Sequence, residues 1–328
     1  MFMRTSLRAL LLFSFLASCA PAQIPETKHV DTSAPIVLGE SFQFASKAME
    51  GKREINVYLP AGYADEKNLR MYPVLYVLDG GRDQDFPHIA GLSQLASING
   101  VYEELIVVGI KTENRMMELA HEPKDPRYIK TPAEAGNSHV FLRHIAEEVI
   151  PMIEKTYRVS ERRAVVGESL AGLFVAEVFL KHPKTFTDYI CVSPSLWWDD
   201  QRLAKSASEL LKKHGTQRRQ LYLTMADEGG TMQAGLDKLM EAIAGNTPTG
   251  LTWSYADKRK TERHATIYHG AVYDALRTLF EIPHEPNNET PWYLIEGAQP
   301  PLELTPTDKE QLIEGAQPPL EVTPTDNE

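Results

Sequence analysis

Cysteine is scarce in this 328-residue chain, which contains two, Cys19 and Cys191, and a framework of disulfide bonds is therefore excluded. Cys191 lies in an apolar stretch and is expected to be a buried thiol. No spacing of Cys and His residues typical of a zinc site occurs, and we expect neither a metal nor a cofactor. Basic residues are also few, since the chain has 34 Lys and Arg residues against 45 Asp and Glu residues, which gives a net charge of −11. This balance argues against a nucleic-acid partner.

The apolar run at the N-terminus, Leu10–Leu16, is too short to cross a membrane as a stable helix. Arg4 and Arg8 precede it, and a short apolar run behind positive charges is typical of a secretory signal. We therefore predict a signal peptide over residues 1–18 and export across the inner membrane.

The predicted signal ends at Leu16-Ala-Ser-Cys19, which resembles the lipobox of bacterial lipoproteins. The resemblance implies that Cys19 carries lipid, and Ala20 at the next position implies an outer-membrane anchor that faces the periplasm or the exterior. Residues 19–38 would then be a flexible tether, and the protein would contact the membrane through its lipid alone. The alternative is a plain secretory signal cleaved after Ala22.

The C-terminal end contains a near-exact duplication, since the sequence of Leu294–Asp308 recurs as Leu312–Asp326. Both copies are rich in proline and acidic residues, and two polar copies are too few for a solenoid. We predict that residues 285–328 form a disordered tail or a linker. Residues 39–284 remain for one large α/β domain.

Strand and helix patterns alternate along residues 39–284. Continuous apolar runs at 73–78 and 105–110 indicate buried parallel strands, while Ile55–Leu59 alternates as a half-exposed strand does. Further strands are predicted at 163–167, 188–193, 220–225 and 251–255, and helices at 139–156, 170–182, 201–214, 231–244 and 268–280. Such alternation predicts a mainly parallel sheet with helices on both faces, in which reactive groups gather at the C-terminal ends of the strands.

A strand, a tight turn and a helix meet in Val165-Val-Gly-Glu-Ser169. Gly167 gives the turn its backbone freedom, and Ser169 would project from the tip at a helix N-terminus, whose dipole favours developing negative charge. The pattern predicts a nucleophile elbow with Ser169 as the nucleophile. The fifth position of Gly-x-Ser-x-Gly is Ala171, which weakens the match. The alternative is an ordinary turn in which Ser169 caps the helix.

A serine nucleophile needs a base, and the base is normally a histidine oriented by a carboxylate. His264 and His269 both follow the last predicted strand, and we expect His264, in the loop, to be the base. His269 is nearer the helix and is expected to be structural or substrate-facing. Glu228, in the turn after the strand at 220–225, is the predicted acid. The other candidate carboxylates are Asp227, Asp199 and Asp200.

Two backbone N–H groups are needed to bind the oxyanion. We expect one from Leu170, which follows the nucleophile, and the other from Gly80 or Gly81 in the turn after the strand at 73–78. The alternative for that segment is a plain Asp-Gly turn.

Two arginines and two tryptophans are candidate substrate contacts. Arg82 and Arg115 could meet a negative group, and Trp197 and Trp198 could form an aromatic wall for a ring-bearing acyl group. The alternatives are solvated arginines and a tryptophan buried in the core.

The chain resembles the putative-esterase family of α/β-hydrolases, and within it the siderophore-esterase branch of enterobactin type. The matching blocks are Tyr72–Gly80, Val166–Phe174, Ser193–Asp199 and His264–His269. The resemblance implies an α/β-hydrolase fold with catalytic roles for Ser169 and His264 and, more weakly, for Glu228. The branch often has Arg-x-Arg-Asp-Leu where this chain has Arg115–Leu119, and Met117 in place of the second arginine weakens a claim on anionic catecholate substrates.

Together these features predict an exported, lipid-anchored serine esterase that works through an acyl-serine intermediate without a cofactor. Siderophore trilactones, feruloylated or acetylated polysaccharides and small acyl esters are all open as substrates. One alternative is an acyltransferase on the same scaffold. Another is a hydrolase-like lipoprotein that binds a ligand without catalysis.

Overall fold

A single eight-stranded sheet organises the residues that the computed structural model describes, which are 33–128 and 136–283. The signal peptide, Cys19, most of the tether and the duplicated tail lie outside these residues. Within the described ranges, every helix is too short or too polar to span a bilayer.

The strands of the sheet are β1 (Glu40–Ser46), β2 (Gly51–Tyr58), β3 (Tyr72–Leu78), β4 (Ile106–Ile110), β5 (Val159–Glu168), β6 (Asp188–Val192), β7 (Arg219–Met225) and β8 (Leu251–Asp257). Their order across the sheet is β1-β2-β4-β3-β5-β6-β7-β8. β2 pairs antiparallel with β1 and β4, and all other neighbours are parallel. The predicted, mainly parallel sheet is confirmed. Every residue of β3 is buried, which explains its continuous apolar run.

Helices cover both faces of this sheet. They are α1 (Phe86–Asn99), α2 (Arg115–Leu119), α3 (Ser138–Arg143), α4 (Ile150–Thr156), α5 (Leu170–Lys181), α6 (Trp198–Lys205), α7 (Ala207–Leu211), α8 (Gly230–Gly245) and α9 (Ile267–Leu279). A π-helical segment over His144–Val149 joins α3 to α4, and the predicted helix at 139–156 is therefore one continuous element. Side chains of α1 and α9 form the core on one face, and those of α3–α5, α7 and α8 contribute to the core on the other.

The C-terminal ends of the parallel strands position the candidate site at one edge of the sheet. β5 leads into Ser169, β7 into the turn that carries Glu228, and β8 into the loop that carries His264. β3 leads into the Asp79–Arg82 turn. Segments far apart in sequence therefore converge on the edge that parallel-sheet packing makes available for chemistry.

Candidate active site

Ser169 occupies the sharp bend between β5 and α5. Its φ and ψ are 59° and −115°, a backbone conformation that residues with side chains rarely adopt. Its N–H donates to the Val192 carbonyl at 3.0 Å, and its own carbonyl accepts from the N–H groups of Ser195 and Leu173, each at 2.9 Å. These three backbone bonds hold the bend that presents the hydroxyl.

Glycine at position 167 makes the bend possible. A Cβ there would lie 2.5 Å from the backbone carbon of Ala171 and 2.7 Å from its methyl group, distances that real Cβ atoms do not show. The methyl of Ala171 thus occupies space that the missing side chain of Gly167 leaves free. The departure from glycine at the fifth position of the motif is accommodated for this reason.

His264 and Glu228 are joined by a hydrogen bond. Nδ1 of His264 lies 2.6 Å from Oε1 of Glu228. The side chain of Glu228 is 10% exposed and that of His264 is 44% exposed, so the acid lies beneath the imidazole. A carboxylate that accepts the Nδ1 proton fixes the tautomer and leaves Nε2 as the proton acceptor. The structure therefore places the predicted base, His264, in direct contact with the predicted acid, Glu228.

Among the described residues, the hydrogen-bond partner of His264 is Glu228, and none of the other candidate carboxylates contacts it in this way. Asp227 is exposed. Asp199 is buried and forms an ion pair with Arg202, while Asp200 pairs with Lys205 at 2.6 Å. His269 lies in the first turn of α9, with Nε2 at 3.1 Å from Oδ1 of Asp85.

The hydroxyl of Ser169 has a second serine as its neighbour. Among the described residues, its Oγ has the Oγ of Ser195 as hydrogen-bond partner, at 3.2 Å. His264 is close enough to the bend for its charge to act on the carboxyl group of Glu168, the residue before Ser169. The hydrogen bonds of the described residues do not include one between Ser169 and His264. Catalytic hydrogen bonds are often long in unliganded enzymes and tighten when substrate binds, so this geometry leaves His264 as the candidate base.

The three predicted oxyanion donors differ in what their N–H groups contact. Leu170 is the first residue of α5, where an N–H has no acceptor within the helix. The N–H of Gly80 donates to the Ile110 carbonyl at 2.9 Å, and this bond is part of the backbone that holds β3 beside β4. The N–H of Gly81 donates to the side-chain Oε1 of Gln84 at 2.9 Å, a bond that a substrate oxygen can replace. Gly81 rather than Gly80 is thus the candidate second donor.

The two predicted arginines lie in different surroundings. Arg115 forms an ion pair with Asp79 at 3.0 Å and reaches the Glu168 carbonyl at 3.4 Å, beside the bend. Arg82 lies near Glu54, its Nε at 3.5 Å from a carboxylate oxygen, and borders a separate depression formed with Ile36–Ser41. Only Arg115 of these two lines the cavity next to Ser169.

The two tryptophans also separate into different roles. Trp198 is 4% exposed and donates from Nε1 to the His121 carbonyl at 2.9 Å, which makes it a core residue and corrects its prediction as a substrate contact. Trp197 is partly buried and stacks on Tyr128 with 6.1 Å between ring centroids. Trp197 therefore remains partly exposed, whereas its neighbour does not.

A cavity of about 310 Å³ lies beside the bend. Its lining residues are Leu78, Asp79, Gln84, Asp85, Arg115, Glu168 and Tyr268. Sequence reasoning missed Glu168, although it is the variable position of the Gly-x-Ser motif. Oε1 of Glu168 and the hydroxyl of Tyr268 are buried and have no hydrogen-bond partner among the described residues. Both atoms lie beneath the surface of the cavity, so a ligand does not reach them without movement of the side chains.

The carboxyl group of Glu168 gives the structure a distinct dependence on pH. Burial raises its pKa from an ordinary 4.5 to about 7, and nearby His264 lowers that pKa in part. A raised pKa means that ionising Glu168 costs more free energy in the folded state than in the unfolded state. The neutral carboxyl group therefore contributes fully to folding stability below pH 4.5, and this contribution is lost as pH rises through about 7. We expect Tm to fall more between about pH 5 and about pH 8 in the wild type than in Glu168→Gln, which cannot ionise. Differential scanning calorimetry of both proteins tests this, and equal pH dependence would contradict it.

The strand order and the chain order of Ser169, Glu228 and His264 define an α/β-hydrolase fold with an elbow serine after β5, an acid after β7 and a histidine after β8. The family described as "Putative esterase" matches residues 46–273, and the chain belongs to it. Family membership places the protein among the ester hydrolases, and the resemblance found in the sequence is confirmed.

Three similar proteins illustrate the relationship. The chain is 27% identical over 198 residues to the uncharacterized protein YbbA of Bacillus subtilis, covering 60% of this chain and 76% of that one. It is 31% identical over 157 residues to the ferri-bacillibactin esterase BesA of Bacillus subtilis, covering 43% of this chain and 53%, about half, of that relative. Among solved structures, an IroE-like serine hydrolase from Shewanella oneidensis is similar with a TM-score of 0.65 and 28% identity, over 74% of this chain and 80% of that chain.

Proposed function

We propose that this protein hydrolyses carboxylic esters through an acyl intermediate on Ser169. The observation that carries the proposal is the 2.6 Å bond between His264 and Glu228, at the sheet edge where the strained Ser169 bend lies. A buried carboxylate on Nδ1 is the arrangement that turns an imidazole into a base for a hydroxyl. Membership of an esterase family supports the same chemistry.

In the proposed reaction, Oγ of Ser169 attacks the ester carbonyl carbon while Nε2 of His264 takes the hydroxyl proton. The N–H groups of Leu170 and Gly81 bind the oxyanion, and a donor of this kind typically contributes about 3–4 kcal/mol. The carbon–oxygen bond to the alcohol then breaks, and the alcohol leaves with the proton from His264. Water repeats the sequence on the acyl group and regenerates the hydroxyl of Ser169.

The substrate class that we propose is a siderophore-type ester or another ester with an aromatic acyl group. The name of the similar BesA, a ferri-bacillibactin esterase, supports the first of these. The ring of Trp197, stacked on Tyr128, supports a flat aromatic group near the site. Arg115 is paired with Asp79, so its charge is already neutralised and a strongly anionic group gains little from it.

A panel of esters read by mass spectrometry tests the proposal. It includes a catecholate trilactone, a feruloyl ester, an acetylated xylo-oligosaccharide and p-nitrophenyl butyrate, each with and without an added alcohol acceptor. We expect hydrolysis of at least one ester and labelling by a fluorophosphonate on the peptide that contains Ser169. Transfer to the alcohol in preference to water would indicate an acyltransferase. A protein that cleaves no ester and takes no label would be a non-catalytic binding protein, and the proposal would fail.

A further inference from the structure

Two histidines and one aspartate converge at the rim of the cavity beside Ser169. Asp85 immediately precedes α1, His88 lies in the first turn of α1, and His269 lies in the first turn of α9. One ligand atom from each of the three lies within 4.8 Å of the other two. None of the three belongs to the proposed catalytic set.

We propose that Asp85, His88 and His269 form a binding site for a divalent transition-metal ion of the zinc type. Oδ1 of Asp85 lies 3.1 Å from Nε2 of His269 and 3.6 Å from Nδ1 of His88. Two ligand atoms that are each about 2.0–2.1 Å from zinc, at a tetrahedral angle, lie about 3.3–3.4 Å apart. The two observed separations fall on either side of that value, and the third, between the two imidazoles, is no more than 4.8 Å. Rotation of the two histidine side chains is therefore needed to complete three corners of a tetrahedron.

The backbone holds the three residues in this arrangement. The N–H of Asp85 donates to the Asp79 carbonyl at 2.9 Å, and the Asp85 carbonyl accepts from Ile89 at 3.1 Å, which fixes the start of α1. His88 and His269 approach each other edge to face with 4.8 Å between ring centroids, because α1 and α9 pack on the same face of the sheet. Both imidazoles are about half exposed or more, so they can rotate and leave room for water as a fourth ligand.

Charge around the three residues favours a cation. Asp79 and Asp85 line the same cavity, and Arg115, the cation facing them among the described lining residues, is paired with Asp79, so Asp85 keeps its negative charge without a basic partner there. A pocket with this balance of charge concentrates cations near its mouth. Two imidazole nitrogens with one carboxylate oxygen select zinc and its neighbours over Mg²⁺ and Ca²⁺, which prefer oxygen ligands alone.

Isothermal titration calorimetry with zinc chloride tests the site, on protein from which any polyhistidine tag has been removed. We expect saturable binding of one Zn²⁺ at this site, an affinity at least about tenfold lower in His88→Ala and in His269→Ala, and no measurable heat with Mg²⁺. Co²⁺ bound to the same ligands should give a visible absorption band that both variants lose. This measurement does not depend on ester hydrolysis.

Two matched variants separate this site from other histidines. His264→Ala removes the histidine of the proposed catalytic site, and His139→Ala removes an exposed histidine on α3. Both should bind Zn²⁺ as the wild type does, and thermal unfolding confirms that each variant is folded. The proposal is overturned by the absence of saturable Zn²⁺ binding, by affinity that survives either His88→Ala or His269→Ala, or by its loss in His264→Ala.

Discussion

Replacing Ser169 by alanine is expected to lower kcat/KM for ester hydrolysis by about 10⁴- to 10⁶-fold. Alanine has no oxygen to attack the carbonyl, so the acyl intermediate cannot form and only binding and oxyanion contacts remain. The backbone bonds that hold the bend come from main-chain groups of Ser169, Val192 and Leu173, and these survive the substitution. We therefore expect Tm to change by no more than a few degrees. Initial rates on the best ester of the panel, together with calorimetry, measure both quantities.

Ser195→Ala is the matched control for this loss. Ser195 is 2% exposed and its hydroxyl lies 3.2 Å from that of Ser169, so it is the nearest other hydroxyl in the described structure that could be mistaken for the nucleophile. We expect its removal to cost less than about tenfold, because it takes away one neutral hydrogen bond. If Ser195→Ala lost as much activity as Ser169→Ala, or if the latter stayed within tenfold of wild type, the assignment of the nucleophile would be wrong.

His264→Ala is expected to lower kcat/KM by about 10⁴-fold or more, and the double variant Ser169→Ala/His264→Ala should be no worse than the more damaged single variant. Nucleophile and base act as one unit, so losing either abolishes the same step. Glu228→Gln keeps the imidazole but weakens its orientation, and its loss should be about 10- to 100-fold smaller than that of His264→Ala. Rates of the wild type and the four variants on one ester, measured well below saturation, give the values of kcat/KM to compare.

His269→Ala distinguishes the two histidines that follow β8. His269 binds Asp85 rather than Glu228, so its removal should cost no more than about tenfold in kcat/KM. A larger loss of kcat/KM from His269→Ala than from His264→Ala would show that His264 is not the base. Additive losses of kcat/KM in the double variant Ser169→Ala/His264→Ala would show the same.

The local sequence pattern predicted the turn at Ser169, and the order of residues along the chain predicted the contact between His264 and Glu228. The glycine, serine and small residues of the β5–α5 turn were a local signal for the bend, because a side chain at position 167 would clash with Ala171 in this conformation. Chain order then paired His264 with Glu228, since a parallel sheet brings the ends of β7 and β8 to the same edge. Seven of the observed strands were predicted, β3 and β4 among them from continuous apolar runs. β2 was predicted from alternation as a half-exposed strand, and its residues Arg53–Tyr58 are instead all buried.

Features that depend on packing between distant segments could not be read from the sequence. β1 is an edge strand whose residues are mostly exposed, so it lacks an apolar run. α1 carries a glycine and several small polar residues in place of a clear apolar stripe. Trp197 and Trp198 are adjacent in sequence, and their different burial is set by contacts with Tyr128 and His121. The convergence of Asp85 and His88 on His269 follows from α1 packing beside α9.

The hydrogen bond between the Gly81 N–H and the side chain of Gln84 affects how strongly this N–H would bind the ester compared with the tetrahedral intermediate. In the proposed reaction, the ester carbonyl displaces the side-chain oxygen of Gln84 from the Gly81 N–H. That oxygen is already a good acceptor, and a neutral ester carbonyl is no better. The tetrahedral state carries a formal negative charge on that oxygen and outcompetes the glutamine. Displacing Gln84 costs a similar free energy for the bound ester and for the tetrahedral state. For the neutral ester, this cost cancels the gain from the new hydrogen bond, whereas the charged tetrahedral state keeps a net gain. An interaction that stabilises the tetrahedral state alone raises kcat, whereas one that also stabilises the bound ester only lowers KM.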